Sequence, residues 1–156
     1  MSVNAYKLLP VVVGTLLIGG LLILLLRRRK GATAIKAALR GTAYESYAPW
    51  AVAQAQHESA NFQSQVYRTC NNPFGMKVPS RRPYVGIGAC RVAPDGGSYS
   101  RYASDFQAAK DFLEWLKFTK FPGGLSSVEQ YVTALRERSY FTDSEYNYLN
   151  GMKRFL

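Results

Sequence analysis

The chain begins with an apolar stretch unlike anything after it. The 19 residues from Leu8 to Leu26 carry no charge and are rich in Leu and Val. As a helix rising about 1.5 Å per residue they reach roughly 28 Å, the depth of a bilayer's hydrocarbon. Pro10 falls in the first turn, where a missing N–H costs little, and Gly14, Gly19 and Gly20 are tolerated in a membrane helix. The basic run Arg27-Arg28-Arg29-Lys30 follows the apolar segment. A cleaved signal peptide has the reverse order, with charge ahead of a shorter apolar region. The pattern predicts a retained transmembrane anchor over residues 1–30, with the lipid bilayer met by residues 8–26.

After residue 30 the periodicity changes. Residues 31–47 are Ala-rich with scattered basic positions and predict a juxtamembrane helix or linker, leaving residues 48–156 as one domain. Within it, Pro49 to Glu58 favours a helix on which Ala51, Ala55 and Glu58 share a face. From Pro79 to Tyr102 the composition turns to Pro, Gly, Arg, Tyr and Val, the mark of loops with one or two short strands. The last third predicts three helices, each opened by a capping-box pair: Ser104 with Gln107, Ser126 with Glu129, and Thr142 with Glu145. The expected core stripes are Phe106, Ala109, Leu113 and Leu116; Val128, Tyr131, Val132 and Leu135; and Tyr146, Leu149 and Met152. The expected fold is mainly α, an N-terminal transmembrane helix plus a small helical domain with a short loop/β lobe.

Charge narrows the partners. The chain has 20 basic residues against 10 acidic ones. Five of the basic residues lie in the first 30 positions, so the remainder is only mildly basic. That balance suits a polyanion such as cell wall, anionic lipid or nucleic acid. No Lys/Arg cluster with interleaved aromatics follows residue 40, which makes nucleic acid the weakest of the three. Cys70 and Cys90 lie 20 residues apart and fit either a disulfide or two buried thiols. With a single His and no CxxC pair, neither a metal nor another cofactor is implied.

The candidate chemistry sits at the end of the first domain helix. In Ala53-Gln54-Ala55-Gln56-His57-Glu58-Ser59, one carboxylate follows an apolar, amide-bearing helix, and the turn Asn71-Asn72-Pro73-Phe74-Gly75-Met76-Lys77 comes soon after. Burial raises a carboxyl pKa and keeps it protonated, as a glycosidase's general acid requires. Glu58 is the candidate catalytic residue.

These two segments, with Tyr99-Ser100-Arg101-Tyr102-Ala103-Ser104 and Tyr140-Phe141-Thr142-Asp143-Ser144-Glu145-Tyr146, resemble the N-acetylglucosaminidase family of bacterial wall hydrolases, which includes flagellar muramidases and autolysins. Counterparts of the family's patterns AQA-x-x-ES, NNLFGIK, FR-x-Y-x-S and YATDP-x-Y stand here in the same order. The resemblance implies a lysozyme-like domain that cleaves β-1,4 bonds in peptidoglycan glycan strands. Glu58 would be its proton donor. Asn72 and Phe74 would shape the groove floor, Tyr102 and Tyr140 would line the reacting sugar's site, and Asp143 would cap the last helix and orient that wall.

Three departures matter. Ala60-Asn61-Phe62 stands where the family commonly has Gly-Trp-Gly, and Pro73 replaces Leu. A second carboxylate, which most glycosidases use to activate water or attack the sugar, has one candidate in the β lobe, Asp95, and Asp95 sits in the turn-forming Pro94-Asp95-Gly96-Gly97. Without it, the substrate's N-acetyl group assists, or the sugar's 6-hydroxyl closes on the anomeric carbon as in a lytic transglycosylase. Finally, Arg27 to Lys30 outweigh Lys7, which by the positive-inside rule puts the domain on the cytoplasmic side, away from any wall. Either an export route overrides the rule in a bacterial inner membrane, or a phage with an internal membrane reconciles the two, as a virion-associated enzyme beside capsid or other virion membrane proteins. The alternative is a structural virion protein that keeps the fold without turnover.

Overall fold

The computed structural model describes residues 9–92 and 97–156, with the side chains of all of these except 9–21 and 24. Most of the predicted anchor, 8–26, therefore lies outside the described side chains. Among the described residues, no helix is long and apolar enough to cross a membrane. Helix α1 (Leu9–Leu39) runs unbroken through the basic run and ends in the domain, where Ile35, Ala38 and Leu39 are fully buried. The stretch 31–47 thus supplies core residues as well as a connection.

A short 3-10 turn (Glu45–Tyr47) leads into α2 (Ala48–Glu58), then α3 (Gln65–Cys70), the antiparallel pair β1 (Gly88–Arg91) and β2 (Ser98–Arg101), and helices α4 (Asp105–Phe118), α5 (Val128–Glu137) and α6 (Glu145–Lys153). The domain is mainly helical with a small two-stranded sheet. Helix α1 packs on α4 and α2, and α6 packs on both α2 and α5. The core between them is strongly aromatic. Tyr47, Tyr131 and Phe121 meet edge to face, and Phe74, Phe112 and Trp115 lie nearly parallel.

The helix starts are displaced from their predicted caps in two cases out of three. Ser104 caps α4 as expected, while α5 is capped by Ser127 and α6 by Ser144. Each of these hydroxyls accepts from the N–H three residues on, at 3.2 to 3.3 Å. The extended backbone of the cap residue decides the position, and neighbouring Ser or Thr residues look alike in sequence. The displacement also changes the buried face. Tyr148, Gly151 and Met152 are buried on α6, while Tyr146 is 74% exposed. On α4, Phe112 is fully buried and Phe106 faces solvent.

The β lobe is held by more than its own ladder. Cys70 and Cys90 form a disulfide that ties the end of α3 to β1, with Val66 and Val92 packed around it. Segment 76–78 lies along the other side of β2, where Ser100 N–H donates to the Met76 carbonyl at 2.9 Å.

The departure at Ala60-Asn61-Phe62 has a backbone meaning. All three residues have left-handed φ, at 48°, 59° and 62°, a region where glycine carries little cost. The turn is kept by Ser59, whose hydroxyl donates to the Ala55 carbonyl and accepts from Phe62 N–H, and by the fully buried Phe62 ring packed against Gly31 of α1. Ala60 is exposed and contributes no such anchor. Ala60→Gly is expected to stabilise the protein by about 0.5–1 kcal/mol, read as a raised Tm. An unchanged or lowered Tm would show that the left-handed turn costs nothing here.

Candidate functional site

Glu58 is the last residue of α2, half-buried where that helix meets α6. Its Oε1 accepts a hydrogen bond from the Tyr148 hydroxyl at 2.6 Å. Burial pushes its carboxyl above the ordinary glutamate range, and the Tyr148 bond, which favours the anion, opposes part of that rise. The group is therefore held toward the protonated form without losing its hydrogen-bond partner.

Tyr148 is aimed by its neighbours. Its ring stacks on Phe141 at 3.8 Å, and the His57 ring meets it edge-on at 4.9 Å. Gly151, one turn later on α6, lets the two helices close, since a Cβ there would overlap the His57 ring. His57 is held below the usual imidazole range, first by burial and then by the Arg154 charge, with Asp143 opposing. The sequence reading missed Tyr148. The available signal was its four-residue spacing from both Ser144 and Met152.

The Asn-Asn turn forms the opposite wall. Asn71 closes α3 in the left-handed conformation, at φ 49°. Asn72 is buried and spends its whole amide on the backbone, donating to the carbonyls of Met76 and Ser100 at 2.8 and 3.0 Å and accepting from Met76 N–H at 3.0 Å. That bracket sets Gly75, at φ 61°, against the carboxylate, where a Cβ would stand 3.5 Å from Glu58 Oε2.

Two concavities meet at this point. One, of about 380 Å³, runs from Glu58 past Phe74 and Lys77 to Arg82, Trp115 and Tyr140. The other, of about 210 Å³, lies toward Ser64, Asn72 and Tyr99 and shares Glu58, Gly75 and Lys77 with the first. Together they make one groove that passes Glu58 on both sides. Glu58 is the one carboxylate among the described residues lining it.

The other expected site residues divide. Tyr140 lines the groove, and its hydroxyl donates to the Phe74 carbonyl at 2.6 Å. Phe74 stacks on Phe112 at 4.4 Å and lines the same wall. Tyr102 does not reach the groove: it is 1% exposed and donates to Asp111 Oδ2 at 2.7 Å. Asp143 is exposed beside the α6 cap, accepting from Asn147 Nδ2 and Ser144 N–H, and those bonds hold its carboxyl below the usual range. Asp95 lies outside the described residues. No cluster of His, Cys, Asp and Glu among the described residues is arranged to hold a metal.

The model of the glucosaminidase family, described as mannosyl-glycoprotein endo-β-N-acetylglucosaminidase, matches residues 32–152. The chain belongs to the glucosaminidase family. The match begins inside α1, consistent with that helix ending in the core, and it makes glycoside hydrolysis the coarse activity of the domain. No curated protein matches this glucosaminidase. Its fold is similar to a chain in the structure of a type VI secretion system effector–immunity complex from Pseudomonas protegens, with a TM-score of 0.58 and 18% identity over 80% of this chain and 89% of that one. At that identity the likeness is one of fold.

Tyr148→Phe separates the two roles the geometry gives this hydroxyl. Losing the bond that favours the anion should raise the Glu58 pKa further. The alkaline limb of the pH–rate profile is then expected to move to higher pH, with kcat down about tenfold from poorer orientation of the acid. An alkaline limb that stays in place would show that Tyr148 does not act on Glu58.

Proposed function

We propose that this chain is a peptidoglycan hydrolase that cleaves β-1,4 glycosidic bonds of wall glycan with Glu58 as general acid. The carrying observation is the position of that carboxyl: desolvated, hydrogen-bonded by Tyr148, and lining both of the concavities that meet there. A strand lying in the groove presents its bridging oxygen to Glu58, which donates its proton as the bond to the anomeric carbon breaks. The resulting carboxylate keeps the Tyr148 bond. With one carboxylate among the described groove residues, the substrate's N-acetyl oxygen closes on the anomeric carbon, and Glu58 then takes a proton from the water that opens the ring.

The same lone carboxylate favours one second reading. In a lytic transglycosylase the 6-hydroxyl takes the place of water, and Glu58 again serves first as acid and then as base. The test of substrate class is release of new sugar ends from purified peptidoglycan, compared with a mannosyl glycoprotein. Release from peptidoglycan alone is expected. Cleavage of the glycoprotein alone would overturn the assignment.

The uncharged run 8–26 and the basic residues after it support a membrane tether. Charge alone puts the domain inside, while the disulfide and a wall substrate fit an oxidising exterior. A virion membrane that carries the domain from one side to the other satisfies both. Stable exposure of the domain to the periplasm of uninfected cells would rule out that route.

A further inference from the structure

The groove continues past Trp115. Pro79, Ser80, Arg82 and Trp115 also line a further concavity of about 300 Å³, which runs on to Arg81, Phe118 and Arg138. Four observations distinguish this arm. Phe118 lies three residues beyond Trp115 on α4, yet it is 52% exposed, so core packing does not account for it. The other two arginines of the arm are engaged within the protein: Arg82 with Asp111, and Arg138 with the carbonyls of Thr119 and Ala134 at 3.2 and 3.0 Å. Arg81 is exposed, and its guanidinium has no hydrogen-bond or ion-pair partner among the described residues. No carboxylate lines the arm among those residues either.

We propose that Arg81, with the Trp115 and Phe118 rings, forms a distal subsite that takes a sugar of the wall strand together with a carboxylate it carries, directly or on its peptide stem. The aromatic edge offers a flat apolar surface to a sugar ring, and the guanidinium fork matches a carboxylate. In wall glycan that group is a carboxylate of the peptide stem, or, on a sugar whose stem has been removed, the lactyl carboxylate freed by cleavage of the amide bond. The subsite gives the enzyme a preference for anionic strands over neutral chitin-type polymers. It rests on the reading of the groove at Glu58 as the peptidoglycan site.

The test is co-sedimentation of the full chain carrying Glu58→Gln, in detergent, with insoluble peptidoglycan, amidase-stripped glycan and chitin. Adding Arg81→Ala is expected to weaken binding to peptidoglycan about fivefold, the worth of one partly exposed charge-assisted pair, and to leave chitin binding unchanged. Phe118→Ala is expected to weaken both. A loss confined to strands that keep their stems assigns a stem carboxylate, and a loss on stripped strands as well shows that the freed lactyl carboxylate is also taken; either supports the subsite. Arg91→Ala, an exposed basic residue on β1, controls for net charge. Equal binding with and without Arg81, or an equal loss from Arg91→Ala, would overturn the subsite while leaving the Glu58 reading intact. A parent protein that binds none of the three polymers would overturn both.

Discussion

Glu58→Gln is expected to lower kcat by about 10²–10⁴-fold, the usual worth of a positioned general acid, while making the protein more stable at neutral pH. The amide keeps an oxygen that can accept from Tyr148 and has no charge to desolvate. The sign follows from the raised carboxyl. A group whose folded-state pKa lies above its unfolded value favours folding fully below the unfolded pKa, and that contribution is lost as pH rises through the folded pKa. Wild type therefore loses ground to the variant with rising pH, and the two converge in acid. Thermal unfolding of both proteins across pH checks this. Parallel curves would mean that Glu58 is not desolvated, and an active variant would remove it from the chemistry.

Asp111→Ala is expected to be the most damaging single change to the fold, destabilising by about 3–5 kcal/mol, the usual cost of breaking a buried charge pair by removing one partner. Asp111 is fully buried on α4 and takes two guanidinium bonds from Arg82 at 2.7 and 2.8 Å, the Tyr102 hydroxyl at 2.7 Å and the Val85 N–H at 3.1 Å. Without it, two neutral donors and the Arg82 cation are left without their partner. For a chain of this size the loss corresponds to a Tm drop of roughly 10 °C. Because Arg82 lines the groove, KM should also rise at temperatures where the variant stays folded. Arg82→Met combined with Asp111→Leu should recover much of the loss, since it removes the stranded charge. A double variant as unstable as the single one would show that packing, rather than the ion pair, carries the effect.

The sequence reached the centre of the site more readily than its surroundings. Glu58 and the Asn-Asn turn are local features: helix periodicity puts the carboxylate on a packing face, and Asn71 and Gly75 advertise left-handed backbone. Phe74, expected on the groove floor, and Tyr140, expected at the reacting sugar's site, line the same concavity as Glu58. What escaped notice depends on contacts between distant segments. Tyr148 reaches Glu58 across 90 residues, and Arg82 reaches Asp111 across 29. Periodicity gives such pairs no mark. The resemblance placed Tyr102 in the groove, whereas the strand before it turns the ring inward to Asp111. The α6 stripe slipped because Thr142 and Ser144 are both acceptable caps, and starting at Ser144 buries Tyr148 instead of Tyr146. The cysteine pair was open in the sequence because 20 residues of separation fit either state. The meeting of α3 with β1 joins them.

The most direct measurement is mass spectrometry of the sugar ends released from purified peptidoglycan by the full chain, beside Glu58→Gln shown to be folded. New reducing N-acetylglucosamine ends from the wild type, with none from the variant, are the predicted result. Equal release by the two proteins would contradict the account.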